Sequence, residues 1–338
     1  MGFKFQGKNG VLMIAEIGGN HEGIFDYAKK LVKDAISTKA DVVKLQLYTG
    51  DTLVNKNLDP QRNEHFKKFE LTQQQHMELA RMILDAGKLY TASVWDLNMM
   101  EWIDEFISFY KIGSGDLTAY PILERTARKG KPIVLSTGLS TEKEVVDCVH
   151  FIQNVDPRYK SPEYLAVLQC TAMYPIRESD ANLSVIKRYK DLLSVPVGYS
   201  DHTEGSKALL YSVLAGADIL EFHFTDNRDG KIFRDHFVSL TPEEVDELAK
   251  RIEEVRAIMG DEIKKPMPIE IENNHVVAFR RGVYPARDIS CGTLIQEEDL
   301  VCLRPDEGIS ANEYYSLIGK TAKIDLKQLQ KLDFKMFR

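Results

Sequence analysis

Short apolar and β-branched runs alternate with longer segments of helical periodicity from position 11 to about position 260. The runs predict eight strands, at 11–17, 41–47, 89–93, 109–112, 133–136, 164–169, 195–199 and 218–222. Helix signals fall between them. Thr72 is followed three residues on by Gln75, Thr141 by Glu144 and Thr241 by Glu244, each the spacing of a capping box; Pro242 suits a first helical turn, and Gly87 suits a helix end. Eight strand-helix units in one run predict an α/β chain closed as a (β/α)8 TIM barrel, whose active site lies at the C-terminal mouth of the strands.

The pattern changes after position 262. Lys264-Lys265-Pro266-Met267-Pro268 interrupts the last helix, and the stretch 263–275 reads as a polar linker between a barrel at 1–262 and a smaller module at 276–338. The module shows only short strand and turn pieces, so its core is small and would gain from docking on something larger.

Chemistry concentrates where the predicted strands end. In order, the strand ends carry Glu16, then Lys44 with Gln46, Ser93, Lys111 with Ser114 and Asp116, Ser136, Cys170 with Thr171, Ser200 with His202, and His223. Singly, each has an ordinary structural explanation: Lys44 can snorkel from its strand, Lys111 can pair with Asp116, and Gly-Ser-Gly can be a turn. Asn20 and His21, after Gly18-Gly19, can shape a turn or take part in chemistry. Jointly, two lysines, several hydroxyls and glycine-adjacent amides at one end of a barrel suit a ligand with phosphate and carboxylate oxygens. His202 and His223 end neighbouring strands, and neutral imidazoles so placed can share a divalent metal ion. Glu16 ends an apolar run and would need a cation or donors once buried.

The 338 residues fit one large barrel and a minor domain. Net charge is -7 with no long block of one sign, which argues against nucleic acid as a partner. No apolar run is long enough to cross a membrane, positions 1–10 lack the apolar core of a signal peptide, and Gly2 with Gln6 is no lipid-anchor signal. Cys148, Cys170, Cys291 and Cys302 have no metal-type spacing and read as reduced thiols of a cytoplasmic protein.

Several stretches, taken in order, resemble the sialic acid synthase family, which includes N-acetylneuraminate, legionaminate and pseudaminate synthases. They are Ala15-Glu-Ile-Gly-Gly-Asn-His-Glu-Gly23, Val43-Lys-Leu-Gln46, Tyr110-Lys-Ile-Gly-Ser-Gly-Asp116, Leu135-Ser-Thr-Gly138, Tyr199-Ser-Asp-His-Thr-Glu-Gly205 and His223-Phe-Thr225. Arg280-Arg-Gly-Val-Tyr284 and Leu303-Arg-Pro-Asp-Glu-Gly-Ile309 resemble that family's antifreeze-like SAF domain, a β-clip. The resemblance covers nearly the whole chain. It implies a transferase that condenses phosphoenolpyruvate with an N-acylated amino sugar to a nine-carbon 2-keto acid, assisted by Mn²⁺ or Mg²⁺. By motif position it implies His202 and His223 as metal ligands, with Glu16 and Lys111 also catalytic. Phosphoenolpyruvate contacts fall on Lys44, Ser93, Lys111, Ser114, Ser136, Thr171 and Ser200. Sugar contacts fall on Gln46, Asp116, Tyr174, Asp235 and Arg304, the last reaching the partner's site in a domain-swapped homodimer.

This chain departs from the family's common pattern in four places. Phe222 stands where many members have lysine, which implies one basic group fewer beside the metal. Phe233-Arg234 precedes Asp235-His236 where Gly-Pro is common, and Thr171 and Asp116 replace Asn and Glu. A Schiff-base aldolase using Lys44 or Lys111, and a carbohydrate-binding barrel that has lost its chemistry, are the competing readings.

Overall fold

The computed structural model describes residues 3–338; Gly2, read above as no lipid anchor, lies outside them. The chain forms two compact units that divide between Gly260 and Asp261. In the first, β1 (Leu12–Glu16), β2 (Val42–Leu47), β3 (Leu89–Val94), β4 (Phe109–Ile112), β5 (Ile133–Ser136), β6 (Leu165–Cys170), β7 (Val197–Asp201) and β8 (Ile219–Phe224) pair in parallel, each with the next. β8 pairs back onto β1, with His223 opposite Glu16, and closes the predicted TIM barrel.

Small offsets from the predicted strands have local causes. Pro196 has no N–H for the ladder, so β7 starts after it at Val197. β8 extends to Phe224 because His223 and Phe224 pair with a short β9 (Ser239–Leu240). The predicted caps form: Thr72 N–H donates to Gln75 Oε1 at 2.8 Å, Thr141 N–H to Glu144 Oε2 at 2.7 Å, and Thr241 N–H to Glu244 Oε2 at 2.9 Å.

Two-residue alternation sorts the strand side chains into two cores. Leu12, Ile14, Val42, Phe109, Val134, Ala166, Leu168 and Ile219 fill the lumen near the strand starts, with Phe5 packed beneath them. Met13, Ala15, Val43, Tyr110, Leu135, Val167, Tyr199, Leu220, Phe222 and Phe224 face the surrounding helices. Following the lumen positions upward, Leu12 and Ile14 lead to Glu16, Val42 to Lys44 and Gln46, Phe109 to Lys111, Val134 to Ser136, and Ile219 to Glu221 and His223. The lumen is therefore an apolar floor under a polar mouth. Gly198 is required on this path, because a Cβ there would lie 2.3 Å from the Ile219 carbonyl oxygen and 2.6 Å from Leu168 Cδ2.

The second unit pairs β10 (Gly282–Pro285) antiparallel with β11 (Leu300–Leu303) over a core of Val283, Ile289, Ile295, Leu300, Ile309, Leu317, Leu326, Leu332 and Phe337. The segment expected to be a polar linker at 263–275 instead carries a helix, Pro268–Glu272, and exposes Ile263, Met267, Ile269 and Ile271. Proline in the first turn and a 2.7 Å bond from Met267 N–H to Glu270 Oε2 start that helix. Among the described residues, no helix is long and apolar enough to cross a membrane, and all four cysteines are free.

Candidate active site

The mouth is built from the last lumen-facing residues of seven strands. Lys44 on β2 makes an ion pair with Glu16 on β1 and lies 3.9 Å from Glu221 Oε1 on β8. Lys111 on β4 reaches the same Glu221 oxygen at 3.5 Å, not Asp116, and donates to the Ile112 carbonyl at 3.1 Å. Ser200 on β7 donates to that oxygen at 3.2 Å. One carboxylate thus gathers two lysines and a hydroxyl in a site where Glu16, Lys44, Lys111, Ser200 and Glu221 are all buried. Burial brings the Lys44 ammonium down to about 7; Glu221 opposes that fall and Lys111 adds to it.

Above this network stand the two histidines, their rings 5.5 Å apart. His202 Nδ1 lies 2.8 Å from the Thr171 carbonyl, which makes it the protonated nitrogen and leaves Nε2 as a lone pair. His223 Nδ1 is buried without a hydrogen-bond partner, as is Glu16 Oε1. Burial lowers the pKa of both rings, keeping them neutral. Gly18 draws Glu16, Gln46 and His223 together: it has φ +54°, and a Cβ there would sit 3.1 Å from Glu16 Oε1 and 3.4 Å from both Gln46 Nε2 and His223 Cε1. Two neutral ring nitrogens beside an uncommitted carboxylate oxygen suit a divalent cation. No group of three His, Cys, Asp or Glu side chains among the described residues has metal-binding spacing, so remaining ligands would be water or substrate oxygens.

The other expected residues surround this centre. Ser93 is opposite Gln46 in the β2–β3 register. Ser136 is buried with its hydroxyl oxygen unpartnered, and Ser114 Oγ accepts from Gly138 N–H at 3.0 Å. Tyr174 packs 3.9 Å from the His202 ring and 5.5 Å from the His223 ring. Asp235, carried by the 3-10 turn Arg234–His236, brings Oδ2 to 4.0 Å from His223 Nδ1. Burial raises the Asp116 carboxyl, with Trp95 and Lys111 opposing. Thr171 contributes its carbonyl rather than its hydroxyl, which donates to the Asp180 carbonyl at 2.7 Å. Asn20 holds the Phe224 carbonyl and Ser239 Oγ, so it braces the β8–β9 corner. Arg304 is in the second unit, exposed, with its guanidinium 5.5 Å from the Phe279 ring centre.

Two aspects of β8 change the sequence reading. Glu221, not singled out there, is the hub of the lysine network; its i, i+2 spacing from His223 was the available signal. Phe222 faces the outer core at 1% exposure, so its side chain leaves no gap in charge beside the histidines. Phe222→Lys should therefore add no charge to the mouth and should lower the unfolding free energy by about 3 kcal/mol or more, through lost packing and a buried ammonium. Denaturant melts check the loss. An undiminished stability would mean that the position opens to solvent.

The NeuB family matches residues 31–264, and the SAF domain matches residues 280–338. N,N'-diacetyllegionaminic acid synthase of Legionella pneumophila is 34% identical over 331 residues, covering 93% of this chain and 91% of its own. Human N-acetylneuraminate-9-phosphate synthase is 30% identical over 336 residues, covering 95% and 91%. The crystal structure of an N-acetylneuraminic acid synthetase from Leptospira borgpetersenii, in complex with citrate, covers 78% of this chain and 90% of its own at 29% identity, with a TM-score of 0.72.

Proposed function

The chain belongs to the NeuB family and carries a SAF domain, and from that membership we propose that it condenses phosphoenolpyruvate with an open-chain N-acylated hexosamine. The products are a nine-carbon 2-keto acid and inorganic phosphate. The observation that carries this reading is the burial of Lys44 and Lys111, over an apolar floor, at the same barrel mouth as two neutral histidines. A trianionic substrate needs two cations and several donors, and Ser136, Ser200 and Ser114 supply hydroxyls around them. Gln46, Tyr174, Asp116 and Asp235 line the sugar end.

In the proposed reaction, C3 of the enol attacks the sugar aldehyde carbon and the new C–C bond forms. Water adds at C2, and cleavage of the C2–O bond releases phosphate and leaves the ketone. Lys44 and Lys111 hold the phosphate and carboxylate oxygens, so that the enol is fixed over the apolar floor. Glu16 Oε1, buried and uncommitted, is an acceptor for the proton shed as C2 is hydrated. Mn²⁺ or Mg²⁺ held by His202 and His223 would polarise the aldehyde carbonyl.

A cytoplasmic, domain-swapped homodimer is part of the same proposal, with Arg304 completing the partner's site. Exposed Ile263, Met267, Ile269, Ile271 and Phe279 give the second unit an apolar strip that a second copy would cover. With Mn²⁺ or Mg²⁺, phosphate release should require both phosphoenolpyruvate and an N-acylated hexosamine, and mass spectrometry should find the summed carbon skeleton. Absence of release across a broad hexosamine panel would overturn the reading. Lys44, brought down to about 7, also favours a Schiff-base aldolase. Borohydride trapping of pyruvate on the protein would support that alternative, and activity lost to a chelator would oppose it.

A further inference from the structure

Arg234 stands apart from the other arginines around the mouth. Arg228, earlier on the same loop, is clamped to both carboxylate oxygens of Glu244 at 2.7 and 2.6 Å, and Arg188 is clamped to Glu142 at 2.8 Å through two bonds. Arg234 has no such clamp. Its guanidinium lies 4.9 Å from the ring centre of Tyr174, and its Nε is 3.4 Å from Asp235 Oδ1 without the alignment of a hydrogen bond. A cation–π contact of this kind holds the guanidinium near the ring while leaving its N–H donors unspent.

Its position is fixed from behind. His236 is buried, with Nδ1 2.7 Å from Thr225 Oγ1, and Ser239 Oγ donates to the Asp235 carbonyl at 2.6 Å. These bonds anchor the 3-10 turn so that Asp235 points toward His223 while Arg234 lies across Tyr174, on the outer side of the sugar residues. Phe233 joins the turn to the helix Pro60–Lys68 and its end, packing 4.9 Å from Phe69 and 5.9 Å from His65. Positive charge converges on this junction. The His65 pKa is lowered first by burial and then by Arg234, Lys68 and Arg62. Tyr174 bridges the histidines and Arg234, 3.9 and 5.5 Å from the two rings and 4.9 Å from the guanidinium, so an acceptor with its aldehyde at the histidines that runs along Tyr174 brings its far end to Arg234.

We infer that Arg234 is a specificity-determining residue that binds an anionic group at the end of the acceptor sugar remote from the aldehyde, and so selects an acidic over a neutral hexosamine. The inference rests on the synthase reading above. A phosphate or a carboxylate at C6 presents the same chemistry, planar or tripodal oxygens that a guanidinium can hold through two bonds. Arg234 has the donors for this, and its one carboxylate neighbour, Asp235, is buried beneath it.

The test is phosphate release from phosphoenolpyruvate by the full-length protein with three acceptors: N-acetylmannosamine, its 6-phosphate, and the corresponding 6-carboxylate. One of the two acidic sugars should show kcat/KM about 10-fold or more above the neutral one, and which of them does so identifies the anion. In Arg234→Gln that ratio should fall about 10- to 100-fold, as expected for a lost charge-assisted hydrogen bond, while Arg234→Lys should recover part of it. A preference for the neutral sugar in the native protein would overturn the inference and leave the synthase reading intact. An equal loss with all three acceptors in Arg234→Gln would also overturn it, because Arg234 would then only hold Tyr174 in place. Silence with these three acceptors would overturn the inference, while the synthase reading stands or falls on the broad hexosamine panel.

Discussion

His202→Ala and His223→Ala should each reduce kcat by about a thousandfold or more while leaving the barrel folded, the scale expected when the group that stabilises developing charge is removed. Both rings are buried and neutral, both end lumen-facing rows, and neither is needed to fill the apolar floor, which lies toward the strand starts. His202 spends Nδ1 on the Thr171 carbonyl and keeps Nε2 free, while His223 Nδ1 has no partner. The unpartnered His223 Nδ1 costs about 1–3 kcal/mol, which a ligand on that nitrogen would relieve. Metal content separates the roles: Mn²⁺ bound per chain, measured by elemental analysis after dialysis, should fall in both variants, with circular dichroism unchanged. Native-like turnover in either variant would remove the metal assignment. Unchanged metal content with lost turnover would make that ring a contact to substrate instead.

The barrel was legible because its signal is repetitive. Phe109–Ile112 and Ile133–Ser136 lie where the apolar runs place them, and the threonine caps recur at the expected spacing. The mouth was legible as a set, because seven of the eight strands end their lumen face in a polar residue. What sequence proximity could not convey is the face on which a residue lies. Phe222 adjoins His223 in the chain and was read as its neighbour in charge, yet alternation turns it into the helix-facing core. Glu221, two residues away, shares the lumen with His223 but breaks an apolar run and so looks incidental. Its partners Lys111 and Ser200 come from β4 and β7, a proximity that only barrel closure creates. Thr171 is hard to read from the chain for a different reason. Its hydroxyl is claimed by the Asp180 carbonyl at the 3-10 turn Glu178–Asp180, a local bond that no strand pattern announces.

Glu221→Gln should show what the lysine network is for. The glutamine keeps the shape but removes the charge that faces both Lys44 and Lys111, leaving two buried ammonium groups against Glu16 alone. Breaking a buried ion pair by removing one partner typically costs about 3–5 kcal/mol. At roughly 2–4 °C per kcal/mol for a unit of this size, the melting temperature should fall by roughly 6–20 °C. Part of that deficit should fade as pH rises. Lys44, already brought down to about 7 in the folded protein, sheds its proton there while an unfolded lysine holds one until about 10.4. Glu221 holds that proton on, so Lys44 of the variant sheds it at a lower pH than the native lysine, and the deficit narrows as pH rises toward about 7, where the native lysine sheds its own. Inorganic phosphate is the sharper probe. If the two lysines form an oxyanion cradle, phosphate replaces the missing negative charge and should raise the melting temperature of Glu221→Gln more than that of the native protein. Turnover should nevertheless drop by about a hundredfold, because lysines without their common anchor hold the enol loosely, and a displacement of about 1 Å costs that much. Equal phosphate shifts in the two proteins would mean that Glu221 serves the fold and that the lysines bind their ligand without it.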